Sequence, residues 1–190
     1  MHRHRLKVSV SRQKTGLVLV LLGLALLGTI LALRFYWQSQ EKNLAFSSVP
    51  ELKEEISEDL FPEQILIPKV KIDLLVFPAK ASEDVWEISE EGASYLLGSG
   101  LPGRKGNLVI YGHNKNRLFG PIRWLEKDDE IRVINRKGTE FTYKIEATKT
   151  VTPAMIDVLY PTEEATLTLY TCTGFLDRER FLVVAKLKLE

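Results

Sequence analysis

The sequence predicts an all-β domain of seven or eight short strands behind a single membrane-spanning helix. Three observations carry that reading. An uncharged run of nineteen residues, Thr15 to Leu33, is rich in Leu and Val. From Gln64 onward, short runs of Val, Ile, Thr, Tyr and Phe alternate with clusters of Gly, Pro, Asn and Asp, the pattern of strands separated by turns. The stretch 64–190 is also long enough to bury a core of its own. Strand spacing alone leaves a barrel and a sandwich equally open. The chain has no low-complexity segment and no internal repeat.

Residues 1–14 form a basic tail, with Arg3, Arg5, Lys7, Arg12 and Lys14 and not one acid. The apolar run that follows makes roughly 28 Å of helix, enough to cross a hydrocarbon core of about 30 Å. Phe35, Tyr36 and Trp37 come directly after Arg34, as an interfacial aromatic belt does, so the anchor is read as 15–37. The basic flank places the N-terminus in the cytoplasm and the remainder outside. A cleaved signal peptide is the competing reading, but its apolar region is usually about 7–15 residues and ends at a small-x-small site, which this run does not supply.

Residues 38–63 are acidic and polar, punctuated by Pro50 and Pro62, and read as a stalk that lifts the domain off the bilayer. Within it, Leu52, Ile56 and Leu60 predict a short amphipathic helix over Glu51–Leu60. The domain proper is read as 64–190. Its expected strands are Ile65–Ile67, Lys71–Val76, Leu108–Tyr111, Glu130–Asn135, Glu140–Lys149, Ala165–Tyr170 and Phe181–Leu189. Asn135-Arg136-Lys137-Gly138 predicts a hairpin turn. Two helical stretches are expected, around Val85–Leu97 and Arg117–Leu125.

Charge excludes one class of partner. The basic tail holds five of the 26 Lys and Arg residues, so the outward part is mildly acidic against its 25 Asp and Glu. A nucleic-acid partner would want a basic face. Cysteine usage is more telling. Cys172 is the single cysteine, so no internal disulfide exists, and a lone thiol in an extracytoplasmic domain marks reactivity as much as packing.

A cysteine nucleophile needs its thiolate form, and the usual helpers are an imidazole and a nearby guanidinium. His2 and His4 lie in the basic tail, which leaves His113 as the histidine available to Cys172. It follows Leu108-Val109-Ile110-Tyr111-Gly112, just past an expected strand end. Arg178 and Arg180 lie six and eight residues beyond Cys172, across a loop containing Gly174 and Asp177. Cys172 would end one strand and Arg180 would begin its antiparallel neighbour. Rim solvation is the plain alternative for both arginines, and Arg178 is read as such a rim charge.

These residues together resemble the sortase family. Ile67-Pro68-Lys69-Val70 is similar to the opening strand of the sortase barrel. Gly98-Ser99-Gly100-Leu101-Pro102-Gly103, then Gly106-Asn107, leads into Ile110-Tyr111-Gly112-His113 as the family's histidine segment does. Leu167-Thr168-Leu169-Tyr170-Thr171-Cys172 resembles the Thr-Leu-x-Thr-Cys signature, and Arg180-Phe-Leu-Val-Val-Ala resembles the arginine-led final strand. The resemblance runs in order from Ile65 to Leu189.

It implies a closed β-barrel and a membrane-anchored cysteine transpeptidase of the bacterial cell surface. Such enzymes cleave a Leu-Pro-x-Thr-Gly-type sorting signal between Thr and Gly, then join the threonine carboxyl to an amine. Implied partners are surface proteins or pilins bearing that signal, with a peptidoglycan precursor or a pilin lysine as acceptor. By the same resemblance Cys172 is the nucleophile and His113 the proton donor and later the base. Arg180 stabilises the oxyanion or holds the substrate backbone, and Thr171 shapes the oxyanion site. The segment Val151–Pro161 stands where sortases build one wall of the signal groove, which makes Val151 and Ile156 substrate-binding candidates; core packing is an equal reading for both. No metal or organic cofactor is expected.

Departures bear on subclass. Lys127-Asp128-Asp129-Glu130 stands where many members have Gly-Asp. No apolar segment follows Leu189, and the stalk holds only a faint echo, Asp59-Leu60-Phe61-Pro62, of the Asp-Pro-aromatic lid of pilin-polymerising members. The expectation is a lidless enzyme, nearer classes A, D or E than B or C. An L,D-transpeptidase would need a histidine beside the Thr171-Cys172 pair, and Tyr170 stands there instead. A membrane-tethered β-domain without catalysis, or a pilin adaptor, would need no reactive thiol.

Overall fold

The computed structural model describes residues 9–40, 57–82 and 86–188. The chain divides into two compact units, 1–40 and 41–190. In the first, one helix, α1 (Ser9–Gln40), includes a stretch from Gly16 to Arg34 that is long and apolar enough to cross a membrane. Every side chain described along that stretch is exposed, so its apolar surface has no protein core to meet within its own unit.

The second unit is a closed barrel of eight strands: β1 (Pro62–Ile67), β2 (Ile72–Ala79), β3 (Ala93–Leu96), β4 (Gly106–Tyr111), β5 (Glu130–Asn135), β6 (Glu140–Val151), β7 (Ala165–Thr173) and β8 (Glu179–Leu187). Neighbours run in the order β1-β2-β3-β4-β7-β8-β6-β5, and β5 closes back onto β1. The pairs β2–β3 and β4–β7 are parallel and the rest antiparallel. Closure leaves no free sheet edge. The choice between barrel and sandwich is thereby settled.

The wall formed by β4, β7 and β8 is buried on both faces. Leu108 and Ile110 of β4, Leu167 and Leu169 of β7, and Val183 and Ala185 of β8 point into the barrel, where they join Ile65, Ile67, Ile131 and Val133. The intervening residues Val109, Tyr111, Tyr170, Cys172 and Leu182 form a second cluster on the outer face. That face is covered by Trp86 from the β2–β3 connection and by Val151, Ile156, Val158 and Leu159 around the β6–β7 connection. Strands covered on both sides read as continuous apolar runs instead of alternating ones.

Two expectations change. The helix expected over Val85–Leu97 is not formed: Val85 lies outside the described residues, Trp86 bridges to Ala81, and Ala93–Leu96 is strand β3. All four residues of β3 are buried, so no period of two survives to distinguish strand from helix. Pairing with β2 on one side and β4 on the other supplies the backbone hydrogen bonds that decide the matter. The second helical stretch appears only as a short 3-10 helix, Gly120–Trp124. The amphipathic helix expected over Glu51–Leu60 falls largely outside the described residues, and its end forms a 3-10 turn, Glu58–Leu60. The barrel reaches slightly into the segment read as stalk, since β1 starts at Pro62 and Phe61 is buried in the core.

Candidate active site

Strand register brings the predicted residues into one row. Cys172 on β7 pairs directly with Arg180 on β8, and Arg180 pairs on its other side with Val151 on β6. Adjacent strands lie about 4.8 Å apart, so a thiol and a guanidinium stem share one edge of the wall. Both are buried, Cys172 at 5% exposure and Arg180 at 4%. Arg178 is exposed, two residues away in an otherwise equivalent sequence context.

The turn joining β7 to β8 holds Arg180 in place. Gly174 has φ +78°, a conformation strained for a side-chain-bearing residue, and a Cβ there would displace the Glu179 carboxylate. Leu176 and Asp177 follow in the left-handed region at φ +58° and +54°, an uncommon conformation for side-chain-bearing residues and a store of strain beside the site. This path presents the carbonyls of Asp177 and Glu179 to the Arg180 guanidinium, whose Nη1 donates to them at 2.8 and 3.0 Å.

On the other side of Cys172, β4 ends at Tyr111 and the chain turns at Gly112 into His113. The Gly112 amide donates to the Tyr170 carbonyl, which extends the parallel β4–β7 pairing by one step. A Cβ on Gly112 would press on the Phe119 ring at 3.0 Å and force the ring to shift. The His113 carbonyl accepts the amides of Lys115 and Phe119, winding the following loop back against the strand. His113 is buried at 5% exposure, and it lines a small cleft with Asn114, Lys115, Cys172 and Asp177. Its Nε2 lies 3.1 Å from Glu90 Oε1. The Lys115 ammonium, followed by the charge of His113, holds the Glu90 carboxyl below its ordinary range.

The remaining candidates fall into place around this row. Thr171 is fully buried on the barrel side of β7 and donates its hydroxyl to the Gly112 carbonyl at 2.8 Å, tying β7 to the histidine segment. Val151 is buried in the outer cluster with Cys172, and Ile156 packs against that cluster half-buried. Tyr170, two residues before Cys172 on the same face, stacks on Tyr111 with ring centroids 5.1 Å apart, and Trp86 meets both edge-on. Burial drives the Tyr170 phenol far above its usual range. Asn107 crosses from β4 to the β6–β7 connection: its Nδ2 donates to the carbonyls of Val158 and Tyr160, and its Oδ1 accepts from Thr168.

The row therefore assembles Cys172, His113 and Arg180, while Thr171, Val151 and Ile156 support it from neighbouring positions. A thiol and an imidazole lining one cleft, with a guanidinium-bearing residue paired beside the thiol, are the equipment of acyl transfer: a nucleophile, a proton shuttle and a donor for developing negative charge. Sequence reasoning missed Glu90 and Asn107. Asn107 sits in the glycine-rich approach to β4, where a buried amide signals a backbone pin; Glu90, one exposed acid among 25, carries no such signal. Among the described residues, no three His, Cys, Asp or Glu groups cluster so as to hold a metal ion.

Comparison with known proteins agrees with the barrel fold. The Sortase domain family matches residues 65–188. Sortase A of Listeria monocytogenes is 30% identical over 128 residues, covering 65% of this chain and 55% of that protein. The chain thus spans little more than half of that relative's length. The solved structure of Listeria monocytogenes sortase A superposes with a TM-score of 0.58 at 28% identity, covering 69% of this chain and 88% of that one. The Clostridium perfringens Sortase D5 transpeptidase gives a TM-score of 0.59 at 29% identity, with 71% and 83% covered. A lid mutant of Corynebacterium diphtheriae sortase A gives 0.59 at 26%, with 72% and 74% covered.

Proposed function

The chain belongs to the sortase family, and from that premise we propose that it is a cysteine transpeptidase that attaches proteins bearing a C-terminal sorting signal to the bacterial cell surface. One observation carries the reading: Cys172 and Arg180 oppose each other across β7 and β8, and His113 lines the same cleft. The signal is of the Leu-Pro-x-Thr-Gly type. The helix Gly16–Arg34 serves as an uncleaved anchor with the N-terminus in the cytoplasm. The enzyme is of the lidless kind, a reading supported by Phe61, whose place in the core takes the Asp59-Leu60-Phe61-Pro62 echo away from any lid role.

The mechanism follows from the three groups. The Cys172 thiolate attacks the threonine carbonyl carbon, a C–S bond forms, and the carbonyl oxygen becomes an oxyanion. The Arg180 guanidinium, fixed by two carbonyls of its own turn, stabilises that charge. Collapse breaks the Thr–Gly C–N bond while His113 gives its proton to the departing amine, leaving a thioester on Cys172. An incoming amine, the acceptor on a peptidoglycan precursor or a pilin lysine, loses a proton to His113 as it attacks the thioester, and the thiolate departs. Val151 and Ile156 would form an apolar wall for the signal's leading residues.

The decisive experiment offers a library of Leu-Pro-x-Thr-Gly-type peptides to the full-length chain in detergent micelles and searches by mass spectrometry for an acyl adduct on Cys172. An adduct released by an amine, and absent in Cys172→Ala, is the expected result. Full turnover by Cys172→Ala overturns the mechanism. Fractionation of expressing cells tests the anchor: full-length chain in the membrane supports it, and a released fragment starting near Gln38 refutes it.

A further inference from the structure

The connection between β2 and β3 brings an acid to His113 that the mechanism above leaves unused. Glu90 Oε1 lies 3.1 Å from His113 Nε2, and Glu90 Oε2 lies 2.8 Å from Lys115 Nζ. Two basic side chains thus meet one carboxylate from its two ends. The placement is built into the backbone. Ser89 Oγ accepts from the amides of Glu91 and Gly92, closing a turn around Glu90, and the Ser89 amide donates to Ser94 Oγ at the start of β3. On the facing side, the carbonyl of His113 accepts the Lys115 amide and the carbonyl of Lys115 accepts the Gly120 amide, so one wound loop sets both basic residues.

The chemistry gives this contact a task. The His113 side chain is 6% exposed, and burial disfavours a charged imidazolium. Yet the leaving amine must be protonated from that ring. A carboxylate at contact distance offsets part of that desolvation and orients the ring. The serine proteases' general arrangement, in which an acid orients the base, is met here on an exposed acid, which scales the effect down.

We propose that Glu90 is a positioning residue for His113: its carboxylate, 3.1 Å from Nε2, orients the ring and favours the imidazolium form. The inference rests on His113 being the acid and base of the reaction proposed above. Among the described residues, the other titratable or charged groups near the pair are Lys115 on the ring's own loop, Arg117 on that loop, which donates to the Glu90 carbonyl, Cys172 on β7, Asp177 in the β7–β8 turn and Arg180 on β8. Lys115 and Arg180 oppose the imidazolium, whereas a Cys172 thiolate and Asp177 support it. Glu90 is the carboxylate in direct contact.

The test separates this from the reaction itself. The ring titration of His113 is followed by NMR in full-length Cys172→Ala protein in micelles, where no turnover is needed and only three histidines contribute. In that background Glu90→Gln should lower the His113 midpoint by about half a pH unit, the size expected of a partly exposed pair. Lys115→Met should raise it by a smaller amount, since it removes a like charge and leaves the carboxylate wholly to the ring. Added salt should shrink both shifts. A merely structural role cannot produce opposite signs from the two substitutions. With Cys172 present, Glu90→Gln should lower kcat about fivefold with KM little changed, and Glu90→Asp should restore part of the loss. An unchanged midpoint in Glu90→Gln, or shifts of the same sign, overturns the proposal. If His113→Ala turns over normally, the reaction assignment fails instead, whatever the titration shows.

Discussion

Two apolar clusters stand back to back across the β4–β7–β8 wall, and they are built differently. The inner one is largely aliphatic: Ile65, Ile67, Leu108, Ile110, Leu167, Leu169 and Val183 fill the barrel at essentially zero exposure. The outer one is smaller and centres on aromatic rings with polar ends, Trp86, Tyr111 and Tyr170, packed edge-on or stacked in the same cluster as Cys172. The inner cluster asks only for volume and for the alternation that points side chains inward. The outer cluster keeps water from one flank of the thiol while leaving the other flank open to His113 and the cleft. Stability and chemistry are therefore separated by the thickness of one sheet.

The largest effects should test that separation directly. His113→Ala and Arg180→Ala on the outer face should each slow turnover by about 100-fold or more, whereas exposed Arg178→Ala should leave it near normal. Leu169→Ala, whose side chain points the opposite way from the same strand as Cys172, should cost about 2–5 kcal/mol in urea denaturation and leave kcat close to normal while the barrel is folded. A Leu169 variant that lost turnover without losing stability would break the distinction between the faces.

Alkaline unfolding sharpens it next. Burial pushes the inner-face tyrosines Tyr95 and Tyr143 up to about 12, and burial raises Tyr111 and Tyr170 in the outer cluster as well. Each phenol is neutral in the folded state, and its folded pKa lies above the unfolded value of about 10. The stability they lend is fully present below about pH 10 and falls as pH rises from there toward 12. Denaturation midpoints should decline across that window, and Tyr95→Phe should flatten the decline by about 1–2 kcal/mol at pH 12. A stability curve flat from pH 9 to 12 would contradict the buried, protonated phenols.

The pin between the wall and its outer cover should have a smaller effect. Asn107→Ala removes two donors from the carbonyls of Val158 and Tyr160 and the acceptor of Thr168, at a cost of about 1–3 kcal/mol. Because Ile156 and Val158 belong to the cover over Cys172, hydrogen exchange should rise in the β6–β7 connection before it rises in β4. Uniform loss of protection would mean that the cover is part of the barrel's own cooperative unit.

How far the sequence reveals this molecule follows the same division. The seven strands rich in Val, Ile, Thr and aromatic residues are legible because turn residues bound them, and the Cys172–Arg180 pairing is legible because the loop between them is short. β3 is not, since residues covered on both faces lose the alternation that marks a strand. Glu90 is not, since a carboxylate in an irregular connection gains meaning only when the fold sets it against His113. β7 runs three residues past its expected end, to Thr173, and β8 starts two residues before its expected beginning, at Glu179, and stops two short, at Leu187, the scale on which strand boundaries generally shift.

Thr171 offers the finest test, because it lies between the two faces. Its side chain is buried on the inner side, yet its hydroxyl reaches the Gly112 carbonyl, immediately before His113. The resemblance to sortases implies a share in shaping the oxyanion site; the hydrogen bond gives a physical route, through the position of the histidine segment relative to Cys172. Thr171→Val keeps the shape and deletes the donor, leaving a buried carbonyl short of one partner, and should cost about 1 kcal/mol with a few-fold fall in kcat. Thr171→Ser keeps the donor and drops a methyl group, so it should cost a similar amount of stability while holding kcat. The two variants thus match in stability and separate in rate only if the hydroxyl acts by alignment. A rise in KM in Thr171→Val with kcat unchanged would instead mean that the side chain serves substrate binding.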